Sequence, residues 1–156
     1  MGNLSAFMRN EFKSDNIVER AGFERFKDEN GNIVPFKVKV LSFKEIEKIR
    51  SFHRTERTAM DKKTRKPLID NGRIVKEIIT DNNAATNNII IEALVYPNLK
   101  DKELMKFYDV EDVLEMPYTV FHQNEYYELL RQILAVLHIT EPDDDDEGDG
   151  IEAAKN

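Results

Sequence analysis

Residues 81–97 read DNNAATNNIIIEALVYP, and this segment predicts a buried helix. Its first half is rich in Asn, a poor helix former, but the half that follows is strongly apolar. Asp81 is a residue type that caps helix N-termini, and Pro97 cannot continue a helix because its ring removes the backbone N–H. We therefore predict one buried helix from about Asn82 to Tyr96.

Downstream of this segment the sequence predicts three further helices. Residues 101–108 and 111–116 each open with an acidic residue, which suits the positive end of a helix dipole. Pro117 then begins a last long helix that runs to about His138. Apolar residues in it recur at spacings of four, three and four, as on one face of a helix. This stripe comprises Tyr126, Leu130, Ile133 and Leu137, and it is widened by Tyr127 and Leu134.

Upstream, the pattern changes to short strands. Asn30-Gly31 lies between the β-rich runs 17–26 and 33–41, and this dipeptide is a strong hairpin signal because both of its residues tolerate positive φ. Ser42 and Glu45 then match a capping box that opens another helix. The side of that helix predicted to be apolar carries Phe43, Ile46, Ile49 and Phe52.

Two more segments complete this half of the chain. Asn71-Gly72 predicts a second hairpin turn, and residues 73–80 read as a strand. The start of the following helix is the alternative for 73–80, because Ile and Val recur there four residues apart. Residues 3–13 form a short amphipathic helix candidate. The predicted fold class is therefore α+β, mostly helical with a small antiparallel β-element in the N-terminal half.

The charge of the chain is concentrated at its end. The 156 residues carry 23 Lys and Arg against 30 Asp and Glu, for a net charge of −7. Residues 141–156 (EPDDDDEGDGIEAAKN) hold eight acidic residues and one Lys, so they account for all of it. Adjacent acidic residues without apolar neighbours repel each other and stay disordered. We therefore predict a single globular domain, residues 1–140, followed by a disordered acidic tail, residues 141–156.

Several functional classes find no support in the sequence. The chain has no Cys, and it has neither a signal peptide nor an apolar run of the ~20 residues that a membrane span needs. His53, His122 and His138 lack partners at metal-ligand spacing, and no Gly-rich phosphate loop is present. We predict no catalytic residue, no cofactor and no metal site in a soluble, intracellular protein.

Residues 62–66 (KKTRK) form a local basic cluster. Lys62, Lys63, Arg65 and Lys66 could contact phosphates, which makes a small nucleic-acid-associated regulatory protein the alternative function. No aromatic residue is interleaved with these cations, and the chain's own acidic tail would oppose a nucleic acid. A solvated loop is the simpler explanation of the cluster.

The aromatic content suggests protein binding. Many aromatic residues lie in predicted helices that are short, so some of them are expected to remain outside the core. Exposed aromatic side chains form surfaces that bind other proteins. The candidate partner-binding residues are Phe7, Phe12, Phe107, Tyr108, Tyr126 and Tyr127.

Four segments together resemble the XkdN-like phage tail assembly chaperones. They are residues 3–7 (NLSAF), 25–31 (RFKDENG, with Pro35-Phe36 after it), 96–104 (YPNLKDKEL) and 152–156 (EAAKN). Their order and spacing carry the resemblance over nearly the whole chain. The Asn-rich segment 81–88 and the long Asp run depart from the family pattern.

The resemblance implies a non-enzymatic function in the host bacterial cytoplasm. Such proteins coat the tape measure protein, a long and largely helical chain, and keep it soluble until tail tube subunits polymerise around it. They are absent from the mature virion. Self-association and a longer frameshift product are further expectations, the second because Ala154-Lys155-Asn156 is compatible with a slippery codon run. The expected partners are the tape measure protein and the tail tube protein, with no membrane and no nucleic acid.

Overall fold

The computed structural model describes residues 4–12 and 16–139, in which five α-helices pack with small antiparallel sheets. The predicted α+β class is thereby confirmed for this part of the chain, and the acidic tail lies outside it. The helices are α1 (Phe43–Phe52), α2 (Asn82–Ala93), α3 (Lys102–Phe107), α4 (Met116–Val120) and α5 (Gln123–Val136). The strands are β1 (Ile17–Arg20), β2 (Phe36–Lys39), β3 (Arg54–Thr58), β4 (Ile69–Asp70), β5 (Arg73–Ile74), β6 (Lys76–Thr80) and β7 (Leu94–Tyr96).

The buried helix predicted from Asn82 is α2, and it lies in the core. Asp81 caps it by accepting a hydrogen bond from the Ala84 N–H at 3.1 Å. The helix ends at Ala93, three residues earlier than predicted, and the chain continues as β7, which pairs with β2. The residue before a proline is disfavoured in the α region, so Pro97 acts on Tyr96 and favours the extended form.

A three-stranded sheet in the order β1-β2-β7 lies beside α2. The predicted first hairpin is confirmed, since β1 and β2 are antiparallel and Gly31 in the connection has a φ of 81°. Phe36 and Val38 of β2 point into the core, and Lys37 between them is exposed. Apolar side chains directed into the core therefore alternate with lysines along this strand.

The capping box of α1 is confirmed, but its apolar side is narrower than predicted. Ser42 accepts from the Glu45 N–H, and the Glu45 carboxylate accepts from the Ser42 N–H. Ile46 is buried and Ile49 packs against the core. Phe43 and Phe52 are exposed instead, because only the narrow strip of α1 that carries Ile46 and Ile49 packs against the core.

The long C-terminal helix predicted from Pro117 is interrupted. It forms α4 and α5, separated by Phe121 in an extended conformation and by His122, the N-cap of α5. The interruption turns the Phe121 ring into the core. Along α5, Leu129, Ile133 and Val136 are buried, whereas Leu130 of the predicted stripe is only partly buried.

Residues 54–80 form a two-stranded ribbon that projects from the helices. Strands β3 and β6 pair with each other, and β4 and β5 extend the ribbon around Asn71 and Gly72. Both turn residues have positive φ, 50° and 75°, as the Asn-Gly signal predicts. Residues 73–80 are thus strands and not the start of α2.

The predicted N-terminal helix, residues 3–13, is not a continuous α-helix. Leu4–Phe7 and Asn10–Phe12 are short 3-10 helices, and both Asn3 and Lys13 lie outside the described residues. A short helix without tertiary packing is marginally stable in water, and Leu4, Phe7 and Met8 are all exposed. No helix within residues 4–12 and 16–139 is long and apolar enough to cross a membrane.

A buried polar junction joins α2 to α5. The Asn87 amide nitrogen donates to the Leu114 carbonyl at 3.0 Å, and the Tyr126 hydroxyl donates to the Asn87 side-chain oxygen at 2.7 Å. Burial raises the pKa of Tyr126 above its ordinary value, so the hydroxyl keeps its proton and remains a donor.

We predict that Tyr126→Phe lowers the free energy of unfolding by about 1–2 kcal/mol, because it leaves the buried Asn87 oxygen without a donor. Tyr127→Phe is the matched control, since the Tyr127 side chain is exposed and its substitution should change stability little. Urea unfolding of both variants measures the difference. Equal stability of the two would contradict the structural importance of the junction.

Candidate partner-binding surface

Four phenylalanines form an edge-to-face cluster beneath the surface. Phe121 contacts Phe23, Phe26 and Phe36 with ring centroids 5.9–6.1 Å apart, and Phe23 lies 5.1 Å from Phe36. Such T-shaped pairs are favourable beyond the area that they bury. The cluster connects the β1–β2 hairpin to the junction of α4 and α5, so it holds together segments far apart in the sequence.

Three hollows share lining residues with one another, and rings of this cluster line two of them. The first, of about 310 Å³, lies between Phe26, Tyr96, Pro97, Leu104 and Phe121. A shallower one of about 500 Å³ shares Tyr96, Pro97 and Leu104 with it and reaches Phe107. On the other side of Phe121, a third of about 170 Å³ is bounded by Tyr118, Tyr126 and Tyr127. The aromatic surface, as we call this region, consists of Tyr96, Leu104, Phe107, Tyr108, Tyr118 and Tyr127.

The structure places the six sequence-predicted residues in different environments. Phe107 is 79% exposed and Tyr127 is 59% exposed, and both belong to the aromatic surface. Tyr108 also lines it, half-buried and with its ring 5.0 Å from that of Phe107. Tyr126 is a core residue because its hydroxyl is bound to Asn87, so we remove it from the contact residues.

The two N-terminal candidates lie elsewhere. Phe7 is exposed in the first 3-10 helix and lines none of these three hollows. Phe12 ends the second 3-10 helix, and its side chain is outside the described part of the chain. The structure therefore places Phe107 and Tyr108 beside each other, and it places Tyr127 at a hollow that shares only Phe121 with the first one.

An ion pair between Arg25 and Glu125 lies beside the first hollow of the aromatic surface. The Arg25 guanidinium binds the Glu125 carboxylate through Nη2 at 2.7 Å and Nε at 3.2 Å, and donates to the Val120 carbonyl at 2.8 Å. Its Cζ atom lies 4.4 Å from the centre of the Phe26 ring. Glu125 is 8% exposed and also accepts from the His122 N–H. The hydrogen bond from Arg25 holds the pKa of Glu125 below its usual value.

The sequence alone did not indicate this ion pair, nor the two rings, Phe26 and Phe121, that line the hollows from below. Arg25 and Glu125 are 100 positions apart, and no local pattern relates them. Phe26 follows Arg25 in one of the segments that carry the family resemblance, which was the only signal available for it. Phe121 was visible as an aromatic residue, but its position depends on the interruption between α4 and α5.

The histidines do not converge. His53 contacts the Asn88 amide at 3.0 Å, His122 caps α5, and His138 follows the end of that helix. Within residues 4–12 and 16–139, no group of three or more His, Cys, Asp or Glu side chains could hold a metal ion. The geometry of the aromatic surface instead suits the non-covalent binding of apolar side chains.

These features define a small α+β protein with an exposed aromatic surface, a class suited to binding other proteins. The chain belongs to the phage XkdN-like tail assembly chaperone family, whose model matches residues 4–155. It is 33% identical to the uncharacterized protein YqbN of Bacillus subtilis (strain 168), over 99% of this chain and 93% of YqbN. The crystal structure of the protein YqbN is similar in fold, with a TM-score of 0.67 over 90% of this chain and 99% of that chain at 24% identity.

We predict that Arg25→Leu lowers the free energy of unfolding by about 1–2 kcal/mol at pH 7, a value reduced because the guanidinium is partly exposed. Glu125 has a depressed pKa in the folded state, so its contribution is present above the unfolded pKa of about 4.3. This contribution is lost as the pH falls through the folded pKa. The difference between wild type and variant should therefore narrow below about pH 4.

Urea unfolding between pH 3 and pH 7 at low salt measures this difference, because urea, unlike guanidinium chloride, does not screen the ion pair. Arg131→Leu is the control, because Arg131 pairs with Glu128 on an exposed face of α5 and its loss should change stability little. A gap between wild type and Arg25→Leu that stays constant with pH would contradict the role of the ion pair.

Proposed function

We propose that this phage tail assembly chaperone binds the tape measure protein through the aromatic surface, keeps it soluble and helps to recruit tail tube subunits. The observation that supports the proposal is that Phe107, Tyr108 and Tyr127 each line a mainly apolar hollow at the surface, with Phe107 and Tyr108 in contact. A tape measure protein exposes a long apolar face before the tube encloses it. An amphipathic helix can lay such a face into a groove.

The energetics of this surface suit reversible coating. Covering one large aromatic side chain contributes about 2 kcal/mol, so a contact that uses two or three of them is weak by itself. Weak contacts repeated along one chain gain avidity, yet each can still be displaced. A chaperone that tube subunits must replace needs this combination.

The finer parts of the proposal come from the family resemblance. They are the recruitment of tail tube subunits, the location in the host cytoplasm, the absence from the mature virion, self-association and a longer frameshift product. The aromatic surface supports binding of an apolar helical partner and is neutral on these points. The nucleic-acid alternative is less favoured, because the basic loop that would carry it has no aromatic side chain on which bases could stack.

Co-expression with the tape measure protein of the same phage or prophage tests the proposal. Wild-type chaperone should raise the soluble fraction of the tape measure protein and be retained with it in a pull-down. The Phe107→Ser, Tyr127→Ser double variant should bind at least tenfold more weakly, since both residues belong to the aromatic surface.

Phe43→Ser is the matched control for this experiment. Phe43 is as exposed as Phe107, but it lies on α1 and lines none of the three hollows. This variant should retain binding. The proposal fails if wild type neither binds nor solubilises the tape measure protein, and the assignment of the surface fails if all variants bind equally.

A further inference from the structure

The basic tip, as we call the loop of residues 61–66 that connects β3 to β4, concentrates the positive charge of the ribbon formed by residues 54–80. These residues include eight basic and four acidic side chains, for a net charge of +4 in a protein whose total is −7. Four of the cations, Lys62, Lys63, Arg65 and Lys66, lie in the connection between β3 and β4, and all four are exposed. The ribbon is thus a basic projection on an acidic protein.

The backbone of this loop is ordered around one carboxylate. Asp61 accepts hydrogen bonds from the N–H groups of Lys63 at 2.8 Å and Thr64 at 3.3 Å, and its carbonyl accepts from the Arg65 N–H at 2.8 Å. An isolated bridge between Met60 and Pro67 closes the loop. The acidic side chain of the tip is therefore engaged by the loop backbone, while the cationic side chains point to solvent.

The cations of the tip have no carboxylate partners among the described residues. Cations nearer the base of the ribbon do: Arg57 pairs with Glu77 at 2.7 Å, and Arg54 with Glu47 at 3.6 Å. Four like charges within five residues repel one another, and a multivalent anion that bound them together would relieve this repulsion. The tip is therefore suited to binding a flexible polyanion.

The chain carries a segment with this chemistry. Residues 141–149 contain seven acidic residues and no basic one. We propose that this acidic segment binds the basic tip of the ribbon in the same molecule. The acidic segment and the basic tip carry opposite charges in similar number. Four consecutive carboxylates stand against the four cations of the tip, and they are Asp143, Asp144, Asp145 and Asp146.

Chain length favours binding within one molecule. From Ile139, the last described residue, ten residues reach Asp149 and span at most ~33–36 Å. A compact body of 140 residues has a radius of gyration of about 14 Å, so a segment of this length extends well beyond the immediate surroundings of Ile139. A tethered ligand whose linker spans the two sites acts at an effective concentration in the millimolar range. At micromolar protein concentration, the tethered segment is therefore favoured over the same segment of another molecule.

The first test compares backbone amide chemical shifts of the full chain with those of a tail variant. The variant carries Asp143→Asn, Asp144→Asn, Asp145→Asn and Asp146→Asn. Amides of residues 61–66 should shift in the variant, and raising the salt of the wild type from 50 to 500 mM should move them in the same direction. Amides near the exposed Lys102 and Lys106 on α3 should not move.

Three results of this test would overturn the proposal. One is unchanged amides at residues 61–66. Another is a set of shifts that increases with protein concentration, which would place the contact between two copies. The third is a set of equal shifts at all exposed lysines, which would make the effect one of net charge alone.

The second test uses a 12-nucleotide single-stranded DNA as a competing polyanion. If the segment covers the tip, the tail variant should bind this probe about tenfold more tightly than wild type at 50 mM salt. Adding Lys62→Gln, Lys63→Gln, Arg65→Gln and Lys66→Gln should abolish the gain.

A matched set of substitutions separates the tip from general charge. Lys37→Gln, Lys44→Gln, Lys102→Gln and Lys106→Gln remove the same charge from exposed positions outside the ribbon, and in this background the gain should persist. The contact would be refuted if both sets of substitutions abolished the increase in affinity for the probe equally. It would also be refuted if the wild type bound the probe as tightly as the tail variant.

Discussion

Enclosure of α2 is the constraint on which the rest of the structure depends. Ile89, Ile90 and Ile91 are consecutive and all buried, so more than half of the circumference of α2 is apolar here and other elements must pack around it, while Glu92 stays exposed. Asn87 is the polar exception, and burying its amide is costly unless each of its polar atoms finds a partner. Leu114 and Tyr126 provide those partners, so the interaction that satisfies Asn87 also fixes the position of α5 against α2.

The aromatic surface is a consequence of this enclosure. The chain leaves α2 as β7, pairs with β2 and then reaches α3, which brings Phe107 and Tyr108 to the edge of the sheet. The interruption between α4 and α5 turns Phe121 inward and leaves Tyr127 outside. Because these residues stand on packed elements, a partner would lose little free energy in ordering them. A surface of this kind can bind through few contacts and still be specific in shape.

The sequence predicted what local chemistry determines. The cap at Asp81, the capping box of Ser42 and Glu45, and the turns at Gly31 and Gly72 are each set by a few adjacent residues. It did not predict what depends on distant partners. The end of α2 became a strand because β2 offered a free edge, and Phe43 is exposed because nothing packs over that turn of α1. The same limit applies to the site: single aromatic residues could be named, but their grouping, and the Arg25–Glu125 pair 100 positions apart, required the fold.

The two surfaces of this protein differ in the range and the salt dependence of the forces that they use. The aromatic surface binds through burial of apolar area, which acts only at contact and depends little on ionic strength. The ribbon carries unpaired charges whose interactions act over about 8 Å at physiological salt and weaken as salt rises. None of residues 61–66 lines the three hollows of the aromatic surface, so the proposed partner helix and the proposed acidic segment would contact different residues. If the acidic segment covers the tip, the exposed cations no longer attract host nucleic acids, and the aromatic surface remains free for the apolar helix that the chaperone has to bind.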